Sequence, residues 1–392
     1  MERISEFALR APKVIFGWGK MSELGREAAA LGRRALLVVG QGALERTGRL
    51  AQLRALLESA GVEVTLFSGV EAEPGLPTVD RGRQAAQEGG CDVVVAVGGG
   101  SVIDVGKAIG ALANLPGAAA EYHSGKREVR GPGLPVVAAP TTAGTGAEVT
   151  PNSVLTDPKR RVKASLRGET VLPRVALVDP ELTVSCPPRV TAFSGLDALV
   201  QALESYVSRG ANPASDALAL QAISLIGGAL RRAWEDGADA AARERMAAGS
   251  LLAGLALASA RLGLVHGLAH PVGCLYHLPH GQVCALLMPA VMRFNLPCAQ
   301  KKYARAAREL GLARAEASDE AAAEELLRWF SALARELGAR VSLREFGAKR
   351  ADLDKIIPLA LASGSTKHNP RQPSADDVRA ILEEALGEEE TN

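Results

Sequence analysis

The first half of the chain alternates short β-branched runs with stretches of helical periodicity, and that alternation leaves few folds open. Residues 35–39, 63–67, 92–97 and 134–139 are strand-length apolar runs, while 48–60, 78–88 and 103–113 read as helices. Strands joined by helices of this length form a parallel sheet, because a parallel pair needs a long crossover and the helix supplies it. A further run, Val175 to Val178, closes this half and leads into Asp179-Pro180. From about Cys186 the pattern changes. Pro187-Pro188 breaks the chain, and alanine- and leucine-rich stretches at 191–209, 213–234, 240–262 and 317–337 read as helices with few β-branched runs between them. The expected architecture is α/β over residues 1–185 followed by all-α over 186–392. Two domains also suit a length of 392 residues.

Composition narrows the partners. Lysine plus arginine (45) balances aspartate plus glutamate (44), which argues against a nucleic-acid binder or a protein held to anionic membrane by charge. Apolar runs such as 93–97 fall far below the roughly 20 residues that span a bilayer. Met1 to Lys13 alternates charged and apolar residues without a signal-peptide core. The cysteines (Cys91, Cys186, Cys274, Cys284, Cys298) form no CxxC pair, and their spacing fits reduced thiols in the cytoplasm, read as small buried apolar residues. The acidic end, 388–390, reads as a frayed tail.

Two glycine-rich elements follow strands. Gly98-Gly99-Gly100-Ser101 comes directly after 93–97 and opens a helix, so its backbone can approach a phosphate while the helix directs N–H groups and its positive dipole end at the anion. Consecutive glycines are not the GxGxxG fingerprint, and a plain strand-to-helix turn would look the same. The second element, Pro140-Thr141-Thr142-Ala143-Gly144-Thr145-Gly146-Ala147-Glu148-Val149-Thr150, follows 134–139 and offers hydroxyls to a pyrophosphate or a nicotinamide amide. Two such loops after neighbouring strands favour a nucleotide cradle.

The second half carries a histidine cluster. His266, His270, His277 and His280 fall within one short segment, and His266 and His270 share a helix face at i and i+4. Pro271 and Gly273 are expected to end or bend that helix, and Pro279 to return the chain so that His280 faces His266. Asp197 and Gln201 form another i, i+4 pair upstream. A carboxylate with two or three imidazoles is a normal ligand set for Zn²⁺ or Fe²⁺. Spacing alone leaves Asp197 one of several candidate carboxylates. His123 reads as a surface or satisfied residue, and His277 stays ambiguous.

Taken together, GGGSVIDVGKA, PTTAGTGAEVT, Leu172-Pro173 through Val178-Asp179-Pro180, Gly195-Leu196-Asp197-Ala198-Leu199, the HxxxH…H segment, Pro289 to Asn295 and Asn369-Pro370-Arg371 resemble the iron-containing (group III) alcohol dehydrogenases along nearly the whole chain. The resemblance implies a Rossmann-like dinucleotide-binding domain followed by an all-helical metal-binding domain, the dehydroquinate synthase-like fold. It implies Asp197, His266 and His280 as metal ligands, with Fe²⁺ the expected metal and Zn²⁺ possible. Gly99, Gly100, Ser101, Thr141, Thr142, Thr145, Asn152, Lys163 and Leu182 match cofactor-contacting positions. Asp104 matches an acidic residue close to the nicotinamide or substrate, and His270 a histidine beside the metal that assists proton transfer. The metal would polarise the oxygen of a small alcohol or aldehyde while hydride passes to or from the nicotinamide. A homodimer is implied by resemblance alone.

The chain departs from the family pattern in two places. Where the family usually carries DALxH, this chain has Asp197-Ala198-Leu199-Val200-Gln201. Gln201 would either coordinate through its amide oxygen, a weaker donor than imidazole, or hold a metal-bound water. After the second strand, Val38-Val39-Gly40-Gln41-Gly42 lacks the aspartate that bonds the adenosine ribose in NAD-preferring relatives. Without that carboxylate Gly40 leaves room for a 2′-phosphate, with Arg46 nearby, so NADP(H) is favoured over NAD(H). The rival readings are a maleylacetate reductase-like enzyme, a dehydroquinate synthase-like enzyme, and a nucleotide-binding protein with an impaired metal site.

Overall fold

The structure is a computed structural model describing residues 6–160, 162–339 and 342–387. The chain divides into two compact units, Arg10–Cys186 and Pro187–Asn392, the second including Met1–Leu9. The tail at 388–390 and residues 1–5 lie outside the described residues.

The first unit is built from β1 (Lys13–Phe16), β2 (Arg34–Gly40), β3 (Glu63–Val70), β4 (Val93–Gly98), β5 (Val136–Pro140), β6 (Asn152–Asp157), β7 (Val162–Arg167) and β8 (Val175–Val178). Its helices are α1 (Leu24–Ala29), α2 (Ala43–Arg46), α3 (Arg49–Ser59), α4 (Leu76–Glu88), α5 (Gly100–Leu112) and α6 (Ala119–His123). Six strands form a sheet in the order β1-β8-β5-β4-β2-β3, every pair parallel. The expected strands and helices are all present, with ends shifted by at most three residues.

Strand period explains the core. Ala35, Leu37, Val39, Val93, Val95 and Val97 enter one apolar layer, and Leu36, Val38, Val94 and Ala96 the layer on the opposite face. Because both faces are covered, Val93 to Val97 can be uninterruptedly apolar, and each is fully buried. Each such valine contributes about 1.5 kcal/mol or more from burial.

Two features of this unit were not legible beforehand. The edge strand β1 pairs with β8, and Asp179 anchors the turn after it by accepting from the backbone N–H of Met21 at 2.8 Å and Gly19 at 3.2 Å. β6 and β7 form a separate antiparallel hairpin. His123 bridges that hairpin, its Nε2 lying 3.1 Å from the carbonyls of both Leu155 and Ala164.

The second unit contains α7 (Pro188–Val207), α8 (Pro213–Gly227), α9 (Leu230–Glu235), α10 (Ala240–Ala260), α11 (Leu264–Tyr276), α12 (His280–Glu309), α13 (Asp319–Glu336), α14 (Leu353–Ala362) and α15 (Ala375–Leu386). Prolines at the first helical position start α7 and α8, where a missing N–H costs nothing. α7 packs against α8, α10 and α12. Two local expectations need correction. The stretch 213–234 is two helices, broken at Gly228-Ala229. α11 does not end at Pro271 or Gly273 but runs through both to Tyr276, and stops at His277, which takes a left-handed conformation (φ 54°). α12 is long and apolar enough to cross a membrane by length and composition. However, 72% of its apolar window is buried inside the protein, which is the environment of a core helix.

Candidate functional site

In the sheet unit, strand order locates the cradle. From β2 the chain steps outward to β3, then returns to place β4 on the other side of β2 and continues outward to β5 and β8. The strand order therefore reverses between β2 and β4, and ligands of such sheets bind at the carboxyl ends of the strands there. Gly40 ends β2, and Gly98-Gly99-Gly100 joins β4 to α5. The N-cap Gly99 makes no side-chain hydrogen bond to the first turn of α5, and N–H groups at a helix start suit an anion.

The threonine loop lies against that turn. Thr141 N–H donates to the Gly98 carbonyl at 2.9 Å. A methyl group on Gly100 would stand 2.6 Å from Thr145 Oγ1, so only glycine admits the loop this close. Gly40, Gly99, Gly100, Ser101, Thr141, Thr142 and Thr145 thus gather at the ends of β2, β4 and β5. Asn152 and Lys163 sit on the β6–β7 hairpin but at opposite ends, paired with Arg167 and Thr156 respectively. Lys163 forms an ion pair with Glu73. Leu182 is buried in the turn after β8, among the apolar layer under β2 and β4.

Asp104 is occupied inside the unit. Its Oδ1 accepts from Lys107 Nζ at 3.1 Å and its Oδ2 from the Val154 N–H at 3.0 Å. Lys107 is fully buried and also donates to the Ala147 carbonyl at 2.8 Å and to Thr150 Oγ1 at 3.2 Å. This lysine, one turn after Asp104 and not singled out from sequence, ties α5 to the threonine loop. Burial raises the Asp104 carboxyl and lowers the Lys107 ammonium, and their mutual attraction opposes both shifts. Burial likewise pushes the neighbouring Glu148 carboxyl up to about 7, only partly offset by its own backbone N–H and by Lys107.

In the helical unit, α7 presents Asp197, Gln201 and Glu204 at i, i+4 and i+7, all buried on one face. α11 supplies His266 and His270, and α12 opens with His280. α12 approaches α7 closely because its second residue is glycine. A methyl group on Gly281 would lie 2.0 Å from the Phe193 carbonyl oxygen and 3.2 Å from Asp197 Cβ. The start of α11 is held by Glu204 and Asn369, which accept from the N–H groups of Val265 at 2.7 Å and Leu264 at 3.1 Å. Asn369 is in turn paired with Asn295.

Asp197, His266, His280 and Cys284 bring one donor atom each within 4.8 Å of one another. Asp197 Oδ1 lies 3.5 Å from His266 Nε2 and 3.8 Å from His280 Nε2. A tetrahedral cation with bonds of about 2.0–2.3 Å has donor–donor edges of about 3.3–3.7 Å, so these separations suit a bound metal better than hydrogen bonds. Asp197 Oδ1 is buried and accepts no hydrogen bond among the described residues. His266 Nδ1 donates to Glu204 Oε2 at 2.6 Å, which fixes the tautomer and turns the Nε2 lone pair toward the cluster. Gln201 Nε2 donates to Asp197 Oδ2 at 2.9 Å, leaving Oδ1 for the cluster.

The electrostatics agree with a cation site. Burial raises the Asp197 carboxyl, but His280 and His266 outweigh it and hold it below the usual carboxylate value. Burial opposes charge on His266, yet the surrounding Cys284, Asp197 and Glu204 push its imidazole well above the ordinary value. Two buried carboxylates thus draw positive charge into this pocket, and a divalent metal with this donor set fits it.

His270 is not among the four converging donors. Its ring stacks on His280 at 5.3 Å between centroids, which places it beside the cluster. His277 is exposed at the end of α11 and takes no part. Two members escaped the sequence reading. Glu204 was detectable as the third residue of the Asp197 helix face, and Cys284 as the residue one turn after His280. Cys284 was read only as a small buried residue; it is buried, and burial pushes its thiol up to about 12.

Residues 11–180 match the family model for iron-containing alcohol dehydrogenase, and residues 191–386 match that for the C-terminal part of the Fe-containing alcohol dehydrogenase family. The 1,3-propanediol dehydrogenase of Klebsiella pneumoniae is 39% identical over 373 residues, covering 95% of this chain and 96% of that protein. The NAD-dependent methanol dehydrogenase of Bacillus methanolicus is 36% identical over 375 residues, covering 96% and 98%. A crystal structure of 1,3-propanediol oxidoreductase superposes with a TM-score of 0.93 at 38% identity, covering 97% of this chain and all of that one.

Proposed function

This chain belongs to the iron-containing alcohol dehydrogenase family, and from that premise we propose that it interconverts a small alcohol and its aldehyde or ketone with a nicotinamide cofactor and a divalent metal. The observation that carries the reading is the convergence of Asp197 Oδ1, His266 Nε2 and His280 Nε2 in one buried pocket. When bound, a divalent metal there supplies Lewis-acid polarisation of the substrate oxygen, and a nicotinamide supplies the hydride chemistry. Gln201 and Glu204 hold the ligating groups in place, each through one hydrogen bond. In this reading His270, whose ring stacks on His280, serves to exchange a proton with the substrate.

For the cofactor, Gly99, Gly100, Ser101 and the Thr141, Thr142, Thr145 loop cradle the pyrophosphate and nicotinamide. Gly40 sets the choice at the adenosine end. Position 40 itself carries no carboxylate to repel a 2′-phosphate; from where a side chain on Gly42 would begin, the Arg46 guanidinium lies 3.1 Å away and Glu45 Oε2 3.9 Å. NADP(H) is therefore the favoured cofactor in this proposal. Fe²⁺ is the metal that family membership favours. A cytoplasmic homodimer belongs to the same proposal, and five cysteines, none in a disulfide, support a reducing compartment.

Purified protein assayed against short alcohols and aldehydes with NADH and NADPH, alongside metal analysis, tests the reading. One divalent metal per chain and stoichiometric loss of reduced nicotinamide with an aldehyde are expected. Full activity in metal-stripped protein would overturn it, as would cofactor binding without turnover after reloading with Fe²⁺, Zn²⁺ or Mn²⁺.

A further inference from the structure

Resting on the metal-site reading above, we propose that Cys284 is the fourth protein ligand, giving a carboxylate, two imidazoles and a thiolate, and that this set selects zinc over iron. Cys284 Sγ lies 3.7 Å from His280 Nε2 and 4.0 Å from His266 Nε2, and its side chain is fully buried. Those separations match tetrahedron edges that include one longer metal–sulfur bond, about 2.3 Å against about 2.0–2.1 Å for nitrogen. The position follows from helix geometry, since residues 280 and 284 project from the same face of α12 one turn apart.

Gln201 is the competing fourth ligand, since its buried Oε1 accepts no hydrogen bond among the described residues. Its amide nitrogen donates to Asp197 Oδ2, which orients the ligating carboxylate. A neutral amide oxygen is also a weaker donor than a thiolate for zinc or iron. On coordination the Cys284 thiol gives its proton to solvent, and the thiolate replaces it with the metal–sulfur bond. Sulfur ligation shifts preference away from iron and toward zinc, while the metal can still admit a substrate oxygen as a fifth ligand.

The test uses the whole purified chain, stripped of metal and titrated with Co²⁺ and separately with Zn²⁺. Wild-type protein is expected to bind one Co²⁺ and to show a near-ultraviolet thiolate-to-cobalt charge-transfer band. Cys284→Ser should lose that band and bind more than about 100-fold more weakly, beyond the 10–100-fold of an outer-shell change. Gln201→Ala should keep the band. X-ray absorption on the zinc-loaded wild type, which requires no variant to fold, should show one sulfur scatterer at about 2.3 Å. A bound metal with no sulfur scatterer and no charge-transfer band would overturn the inference and leave the dehydrogenase reading standing. Failure of the wild type to bind either metal would overturn both.

Discussion

In the sheet unit, the glycines and threonines of the proposed cofactor cradle sit in turns that directly follow apolar strands, so each is announced by its neighbours in sequence. In the helical unit, the candidate metal cluster is drawn from the interior of α7, the first half of α11 and the start of α12, where local sequence says little about which side chains meet. The difference has a physical origin. A strand end hands its loop to solvent at a place dictated by the sheet, whereas a helix offers several faces and only packing decides which one is used. Histidine clustering makes the second site visible at all.

The comparison can be broken most sharply at the metal cluster. Asp197→Ala should lower kcat/KM by about 10³–10⁴-fold, because a metal contributes several kcal/mol to stabilising charge on the substrate oxygen and each 1.36 kcal/mol is tenfold. Metal content measured on the same sample should fall with it. Retained activity would mean that the helical unit holds no catalytic metal.

In the sheet unit the largest effect should be on stability. Lys107→Met leaves the Asp104 carboxylate buried without its cation, and breaking a buried pair costs about 4 kcal/mol. Urea unfolding of the variant should report that loss. A change under about 1 kcal/mol would show that the lysine does not tie α5 to the threonine loop.

Glu148 gives the same unit a pH signature. Its carboxyl rises from 4.5 to about 7 in the fold, so the native state keeps a proton that the unfolded chain releases over that interval. Its contribution is therefore complete below pH 4.5 and is lost as pH rises to about 7, a change of about 3 kcal/mol in all. Unfolding free energies at several pH values should show the decline, and Glu148→Gln should flatten it.

Smaller effects sharpen the contrast between direct and supporting residues. Glu204→Gln keeps the shape but weakens the acceptor for His266 Nδ1, so metal affinity should drop by about 10–100-fold. Competition with a chelator measures this; unchanged affinity would reduce Glu204 to a helix cap. Gly40→Asp restores a carboxylate at the end of β2, where the nearest atom to a new side chain is Val102 Cγ2 at 3.4 Å. The ratio of kcat/KM for NADPH over NADH should then fall by about tenfold, since repulsion of the 2′-phosphate is worth about 1.4 kcal/mol. An unchanged ratio would place cofactor choice elsewhere.

Much of this was readable in the chain. The β-branched runs and their glycine turns specify the parallel sheet, because a strand buried on both faces must be apolar throughout. The short edge strand β1 and the β6–β7 hairpin lacked that signal; β1 is partly exposed, β6 alternates half-buried and buried positions, and β7 is mostly half-buried. In the helical unit, Asp197 and the histidines were visible through spacing and family resemblance.

What the sequence by itself determined is therefore the order of elements and the presence of a cluster with metal-binding character. The tertiary structure decided its membership. Gly281 lets α12 close on α7, which brings Cys284 to the imidazoles, turns Glu204 onto His266, and leaves Gln201 orienting Asp197. Coordination depends on distances of a few ångströms between donors on separate helices, and only packing sets those distances.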